Sequence, residues 1–173
     1  MIDKILTTHT KINGQVETSA SYSKCKTYRY SLTKDWNKKG KRLLFILLNP
    51  STATEKQNDP TIERCERRSR LMNYGAFRVC NLFAFRTKSP KIMKNQKDPI
   101  GPHNDKIISQ SIMWADDILC AWGIHGKYLN RSLKLESLLK SQNYQIFHLG
   151  LTKDKSPRHP LYITYKKAFE RWL

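Results

Sequence analysis

Four short polar stretches carry the side chains of this chain that can do chemistry. They are Asn49-Pro50-Ser51-Thr52, Asn81-Leu82-Phe83-Ala84-Phe85-Arg86-Thr87, Trp122-Gly123-Ile124-His125-Gly126 and Ser156-Pro157-Arg158-His159-Pro160-Leu161-Tyr162. They supply amides, imidazoles, hydroxyls and aromatic rings, a set suited to orienting water and donating hydrogen bonds. Carboxylates near them are scarce and scattered (Asp59, Glu63, Asp98 and Asp105), which argues against a two-metal nuclease. There is no phosphate-cradling G-x-x-x-x-G-K-[ST] loop, no G-x-G-x-x-G after a strand, no G-x-S-x-G elbow and no H-E-x-x-H pair. The cysteines Cys25, Cys65, Cys80 and Cys120 form no C-x-x-C pair, so zinc-ribbon and iron–sulfur spacings are missing. Neither a metal nor a cofactor is expected. Cys80 and Cys120 sit in apolar runs and read as small buried hydrophobes.

The elements that must position these side chains follow from the apolar pattern. Leu43-Leu44-Phe45-Ile46-Leu47-Leu48 is a continuous apolar run bounded by turn formers, the signature of a strand covered on both faces. Asn49-Pro50 ends it, since proline cannot continue a ladder. Asp59 then reads as the N-cap of a helix from Thr61 to Asn73, with Pro60 in its first turn and Gly75 as its stop. Further strands are expected over 77–85, 117–123 and 145–149, and helices over 104–114, 129–142 and, closing the chain, 162–173. The alternation predicts an α/β three-layer sandwich with a central, mainly parallel four-stranded sheet and an N-terminal β-hairpin. Residues 1–20 read as a flexible or edge segment and 21–173 as a single domain. All four polar stretches fall at the carboxyl ends of strands, where such sheets bind ligands.

Composition narrows the partner. The 173 residues include 32 Lys plus Arg against 14 Asp plus Glu, a formal charge of +18. That potential draws in polyanions, and nucleic acid, DNA first, is the expected partner of a monomer. No apolar run approaches the ~18 residues of a membrane span, so no membrane partner is expected. The apolar stretch at the N-terminus is too short for a signal peptide, which points to the cytoplasm.

Taken together, Leu48 to Ala53, Asp59-Pro60-Thr61, Asn81 to Arg86, Asp98-Pro99, Gly101-Pro102, Asn104-Asp105, Trp122-Gly123 and His159 to Tyr162 resemble an uncharacterised family of bacterial and phage proteins, domain of unknown function 1643. The resemblance covers roughly residues 25 to 173. More distantly, the order strand–Asn-Pro, strand–Asn-Leu, strand–Trp-Gly, strand–His-Pro-Leu resembles the uracil-DNA glycosylase superfamily. This resemblance implies that Asn49 positions the attacking water, that His159 belongs to the loop holding a flipped base, and that Leu161 or Tyr162 wedges the duplex. Two positions depart from the superfamily's pattern: Ser51 stands where the mismatch-specific branch has glycine, and no Ser-Pro separates Pro160 from Leu161.

The residue chemistry fits that reading. Cleaving an N-glycosidic bond develops an oxocarbenium-like sugar and an anionic base, so it needs an oriented water and a donor to the departing base. Asn49 and His159 are the catalytic candidates, and Ser51, Asn81, Phe83 and Phe85 the candidates for reading or stacking on the base. Arg64, Arg67, Lys153, Lys155 and Arg158 would hold flanking phosphates. Asp59, Arg86, Asn104, Asp105, Trp122 and His125 are further candidates on the same rim.

Plainer readings stand beside these. Asn49 can simply cap a turn, His159 can be a surface loop group, Trp122-Gly123 can be core packing with a tight turn, and Phe83 and Phe85 can be core. The run from Arg64 to Arg70 can be a solvated helix face partly neutralised by Glu63 and Glu66. Two rival functions remain open: a non-catalytic nucleic-acid-binding module, and an enzyme acting on free nucleosides or nucleotides.

Overall fold

The computed structural model describes residues 6–141 and 144–173. The apolar run forms strand β4 (Arg42–Leu47), where every residue from Leu43 to Leu48 is buried. Its uniform hydrophobicity has a direct cause, because both faces are covered. Leu44 and Ile46 pack with Ile108 and Ile112 of helix α3 (Asn104–Trp114) and with Leu135 and Leu139 of α4 (Arg131–Lys140). Leu43, Phe45 and Leu47 pack on the other side with Ile62 and Cys65 of α1 (Pro60–Leu71). Helices therefore flank both faces of the sheet.

β4 lies between β5 (Ala76–Asn81) and β6 (Asp117–Cys120), parallel to both, and β7 (Gln145–His148) runs parallel to β6. Outside this group, β3 (Arg29–Asp35) is antiparallel to β5 and continues into the antiparallel hairpin of β1 (Leu6–Asn13) and β2 (Val16–Ser23). A two-residue strand, β8 (Glu170–Arg171), closes the other edge antiparallel to β7. The result is one mixed eight-stranded sheet of order β1-β2-β3-β5-β4-β6-β7-β8. It is larger and more antiparallel than the four-stranded sheet expected, because the N-terminal hairpin joins the main sheet through β3. Strand β2 runs without a break through residue 20, and β1 forms the outer edge.

Local signals placed α1 well. Asp59 is its N-cap: Oδ1 accepts from the amides of Thr61 and Ile62, and Oδ2 from that of Ala53, so one carboxylate starts the helix and ties down the preceding loop. The predicted strand over 77–85 ends at Asn81, after which the chain turns away and the amides of Ala84 and Phe85 bond the carbonyls of Ile100 and Pro99. A short helix α2 (Pro90–Lys94), capped by Ser89, follows in the connection to α3. The helix expected over 129–142 starts at Arg131 because Leu129 and Asn130 have φ of 52° and 55°; Gln142 lies outside the described residues.

The expected closing helix over 162–173 does not form. Pro160–Tyr162 makes a single 3-10 turn, and the chain then makes a second turn at Tyr165–Lys166, closed by the Lys167 amide on the Thr164 carbonyl, before it reaches β8. The buried guanidinium of Arg68 accounts for this: it donates to the carbonyls of Ile163, Thr164 and Lys167, groups that a helix would bond within itself. Cys65, Cys80 and Cys120 are buried free thiols and Cys25 is exposed. Among the described residues no helix is long and apolar enough to cross a membrane.

Candidate functional site

The loops after β4, β6 and β7 enclose a cleft of about 870 Å³, within the range of small-ligand sites. Asn49, Ser51 and Thr52 enter it from β4, and Asp59, Pro60 and Thr61 from the start of α1. Trp122, Gly123 and His125 come from β6, and Lys153, Arg158, His159, Leu161 and Tyr162 from the segment after β7.

Asn49 is half-buried, and its Nδ2 donates to the carbonyl of Thr87 at 2.7 Å and to that of Pro50 at 3.2 Å. Two carbonyl partners fix which side of the amide carries the hydrogens. The acceptor Oδ1 is therefore left for a water or ligand. Across the sequence, His159 is held by its own loop, where Nδ1 accepts from the amide of Leu161 at 3.4 Å. An accepting Nδ1 places the ring proton on Nε2, which makes His159 a neutral hydrogen-bond donor.

Burial lowers the His159 imidazole from 6.5 to about 4, against a smaller upward pull from the Asp59 carboxylate. The unfolded chain therefore binds this proton more readily than the folded one. The fold keeps its full stability from this group above pH ~6.5 and loses it progressively as the pH falls through about 4. The loss attributable to His159 should be on the order of 2–3 kcal/mol. Urea unfolding of wild type and His159→Gln from pH 7 to 4 checks this: the wild type should lose more, and parallel curves would contradict it.

Two further side chains shape the walls. Trp122 is 1% exposed, and a Cβ on Gly126 would lie 2.1 Å from its ring, so only glycine lets the backbone cross the indole. Gly123, at φ +72°, makes the turn that brings its amide to the carbonyl of Pro157 at 2.8 Å, tying the β6 loop to the His159 loop. His125 takes a hydrogen bond from Lys94 Nζ at 3.4 Å and is lowered by burial and then by that lysine's charge.

Several candidates lie elsewhere. Asn81 is 1% exposed and lies outside the cleft lining, and its backbone carbonyl accepts from Asn104. Asn104 is fully buried, bracing the carbonyls of Asn81 and Leu82. Phe83 is buried against Tyr128. Asp105 is consumed by Arg131 and Lys134 at 2.5 and 2.7 Å. Arg64 and Arg67 cover the Tyr165 ring at 4.9 and 4.7 Å, and Arg64 also donates to the carbonyl of Ile163, so both grip the C-terminal segment of this same chain. Lys155 is exposed outside the cleft lining. Phe85 and Arg86 line a neighbouring cleft.

Thr87 and Lys88 also belong to the site, although their residue types alone do not mark them. The Ser89-Pro90 pair, a helix-start signal, marks where the chain turns back to present them.

Residues 29–161 match the model of a family described as Protein of unknown function (DUF1643). No curated protein and no solved structure matches the chain.

Proposed function

The chain belongs to the DUF1643 family, and we propose that its cleft hydrolyses the N-glycosidic bond of a deaminated or modified base in DNA, the chemistry of the uracil-DNA glycosylase superfamily that its motifs resemble. One observation carries the reading: Asn49, with a free acceptor, and His159, a neutral donor, line the same cleft although they come from opposite halves of the sequence. Asn49 Oδ1 accepts from a water beneath the sugar and orients its lone pair toward the anomeric carbon. As the bond to the base breaks, the electron pair moves onto the base, and His159 Nε2–H donates to the oxygen where that charge collects. The water adds to the sugar cation and releases its proton to solvent. An amide accepts no proton, so the reaction is slow compared with carboxylate-assisted hydrolysis.

The base must leave its stack to enter, at a cost of a few kcal/mol. Lys88, Lys153 and Arg158 line the cleft and are exposed, so they can offset that cost by holding phosphates. Leu161 and the 82%-exposed Tyr162 stand at the edge, where a wedge would act.

Incubation with duplexes bearing uracil, thymine mismatches or hypermodified pyrimidines, followed by alkaline cleavage, tests the reading. Strand breaks with at least one of them are expected. DNA binding with no abasic sites on any strand would overturn hydrolysis and leave a nucleic-acid-binding module.

A further inference from the structure

A second cleft of about 460 Å³ adjoins the first, and the two share Ser51, Thr52, Thr87 and Lys88 as a common wall. With the shared Lys88, Lys26 and Arg86 give the second cleft three cations, Phe85 contributes an aromatic ring, and among the described residues no carboxylate lines it. Lys26 and Lys88 are exposed and form no ion pair among the described residues. Arg86 is held in place, its Nη1 donating to the carbonyl of Lys26 and its guanidinium lying 5.2 Å from the centre of the Tyr22 ring, while its buried Nε has no partner among the described residues. The fully buried Arg29 fixes the carbonyl of Ala53, just beyond the shared wall, through its Nη1 at 2.6 Å. The Tyr22 hydroxyl donates to Glu55, a carboxylate that lines a different cleft. A cationic pocket with one anchored guanidinium and one aromatic ring is matched by a phosphate joined to a base.

We infer that this second cleft binds the nucleotide next to the one whose base enters the first cleft, with Lys26, Arg86 and Lys88 on its phosphate and Phe85 stacked on its base. The inference rests on the proposed function for the identity of the neighbouring ligand. The shared wall carries Thr87, whose carbonyl holds the Asn49 amide, so an occupied second cleft also braces the water-positioning side chain.

Fluorescence anisotropy with a labelled oligothymidylate of about ten nucleotides tests this by separating charge from stacking. The double variant Lys26→Asn/Lys88→Gln should lower the slope of log affinity against log salt by about 0.7, the share of the one single-strand phosphate that the two lysines hold. Asparagine tolerates the φ of 58° found at Lys26. Phe85→Leu should weaken binding about tenfold with the slope unchanged, and Phe85→Tyr should restore it. Lys106→Gln/Lys140→Gln, exposed outside both clefts, should alter neither quantity. An unchanged slope in the first double variant, an equal fall in the second, an indifferent Phe85→Leu, or a wild type that does not bind would each overturn the inference.

Abasic-site formation on the most reactive strand separates the two proposals. Product formed while the cleft variants bind normally removes the second cleft and keeps the hydrolase. Weakened binding in the variants with no product from any strand does the reverse.

Discussion

Asn49→Ala is expected to lower single-turnover abasic-site formation by about 10³-fold while leaving DNA affinity within a few-fold of wild type. The large effect on rate follows from what Asn49 does and does not touch. Both amide hydrogens are spent on the Thr87 and Pro50 carbonyls, so the side chain is immobilised and only Oδ1 faces a reactant. Alanine removes the acceptor that orients water, and among the described residues the one carboxylate lining the cleft, Asp59, is occupied by the amides of Ala53, Thr61 and Ile62 and cannot replace it. Asn49→Asp separates water positioning from loop support. Aspartate keeps an acceptor but cannot donate to Thr87, so the anchor turns repulsive and the loop loosens. Its rate should also fall, with a loss of stability that Asn49→Ala shows to a smaller degree. A normal rate in Asn49→Ala, with binding intact, would remove this residue from the mechanism.

The second large effect belongs to a residue that touches no ligand. Arg68→Met should destabilise the fold by about 3 kcal/mol, read as a drop of roughly 10 °C in the melting midpoint. Arg68 is 2% exposed and donates to the carbonyls of Ile163, Thr164 and Lys167. Each charged hydrogen bond contributes about 1.5–3 kcal/mol, and burying the guanidinium offsets part of the sum. Methionine fills similar volume, so the loss reports the hydrogen bonds more than a cavity. Because those carbonyls immediately follow Leu161 and Tyr162, Arg68 is a positioning residue for the His159 loop. In the folded variant the His159 imidazole should titrate closer to 6.5 than to about 4, as a loosened loop admits water. A merely structural arginine would lower the melting point and leave that titration unchanged.

The arginine also shows where the sequence was legible and where it was not. Signals confined to a few residues were read correctly: the uninterrupted apolar run of β4, and the Asp59-Pro60 start of α1, whose cap is made by atoms two and three residues away. The conformation of 162–173 depends on a guanidinium about a hundred residues upstream, and local spacing that suited a helix carried no trace of it. Arg64 and Arg67 show the same dependence on distant chain, through the ring of Tyr165. A run of cations looks the same whether it serves phosphate, solvent or, as here, an aromatic ring of the same chain. The hairpin's first two strands were faint because two inward positions of β2, Thr18 and Ala20, are polar or small and leave Tyr22 to carry the alternating pattern. Asn81 illustrates a limit of reading strand ends. Its place at the carboxyl end of a strand suggested a ligand contact, but the amide of Asn104 covers its carbonyl and the residue is sealed in the core. Asn49 sits at the end of the adjacent strand, where the proline that follows lifts the chain away and leaves the amide on the cleft wall.

The account depends on one amide and one imidazole facing the same nucleoside, the amide on the water beneath its sugar and the imidazole on its base. Nuclear magnetic resonance of the protein, with its histidine rings and asparagine amides labelled with nitrogen-15, tests this on addition of deoxyuridine and the four ordinary deoxynucleosides in turn. For at least one of them, the Asn49 side-chain amide and the His159 Nε2–H should shift along a single saturation curve, and the Nε2 proton should move downfield as it donates to the base oxygen. If every nucleoside leaves both signals in place, or moves one and not the other, the two residues do not share a nucleoside site and the glycosidase assignment fails.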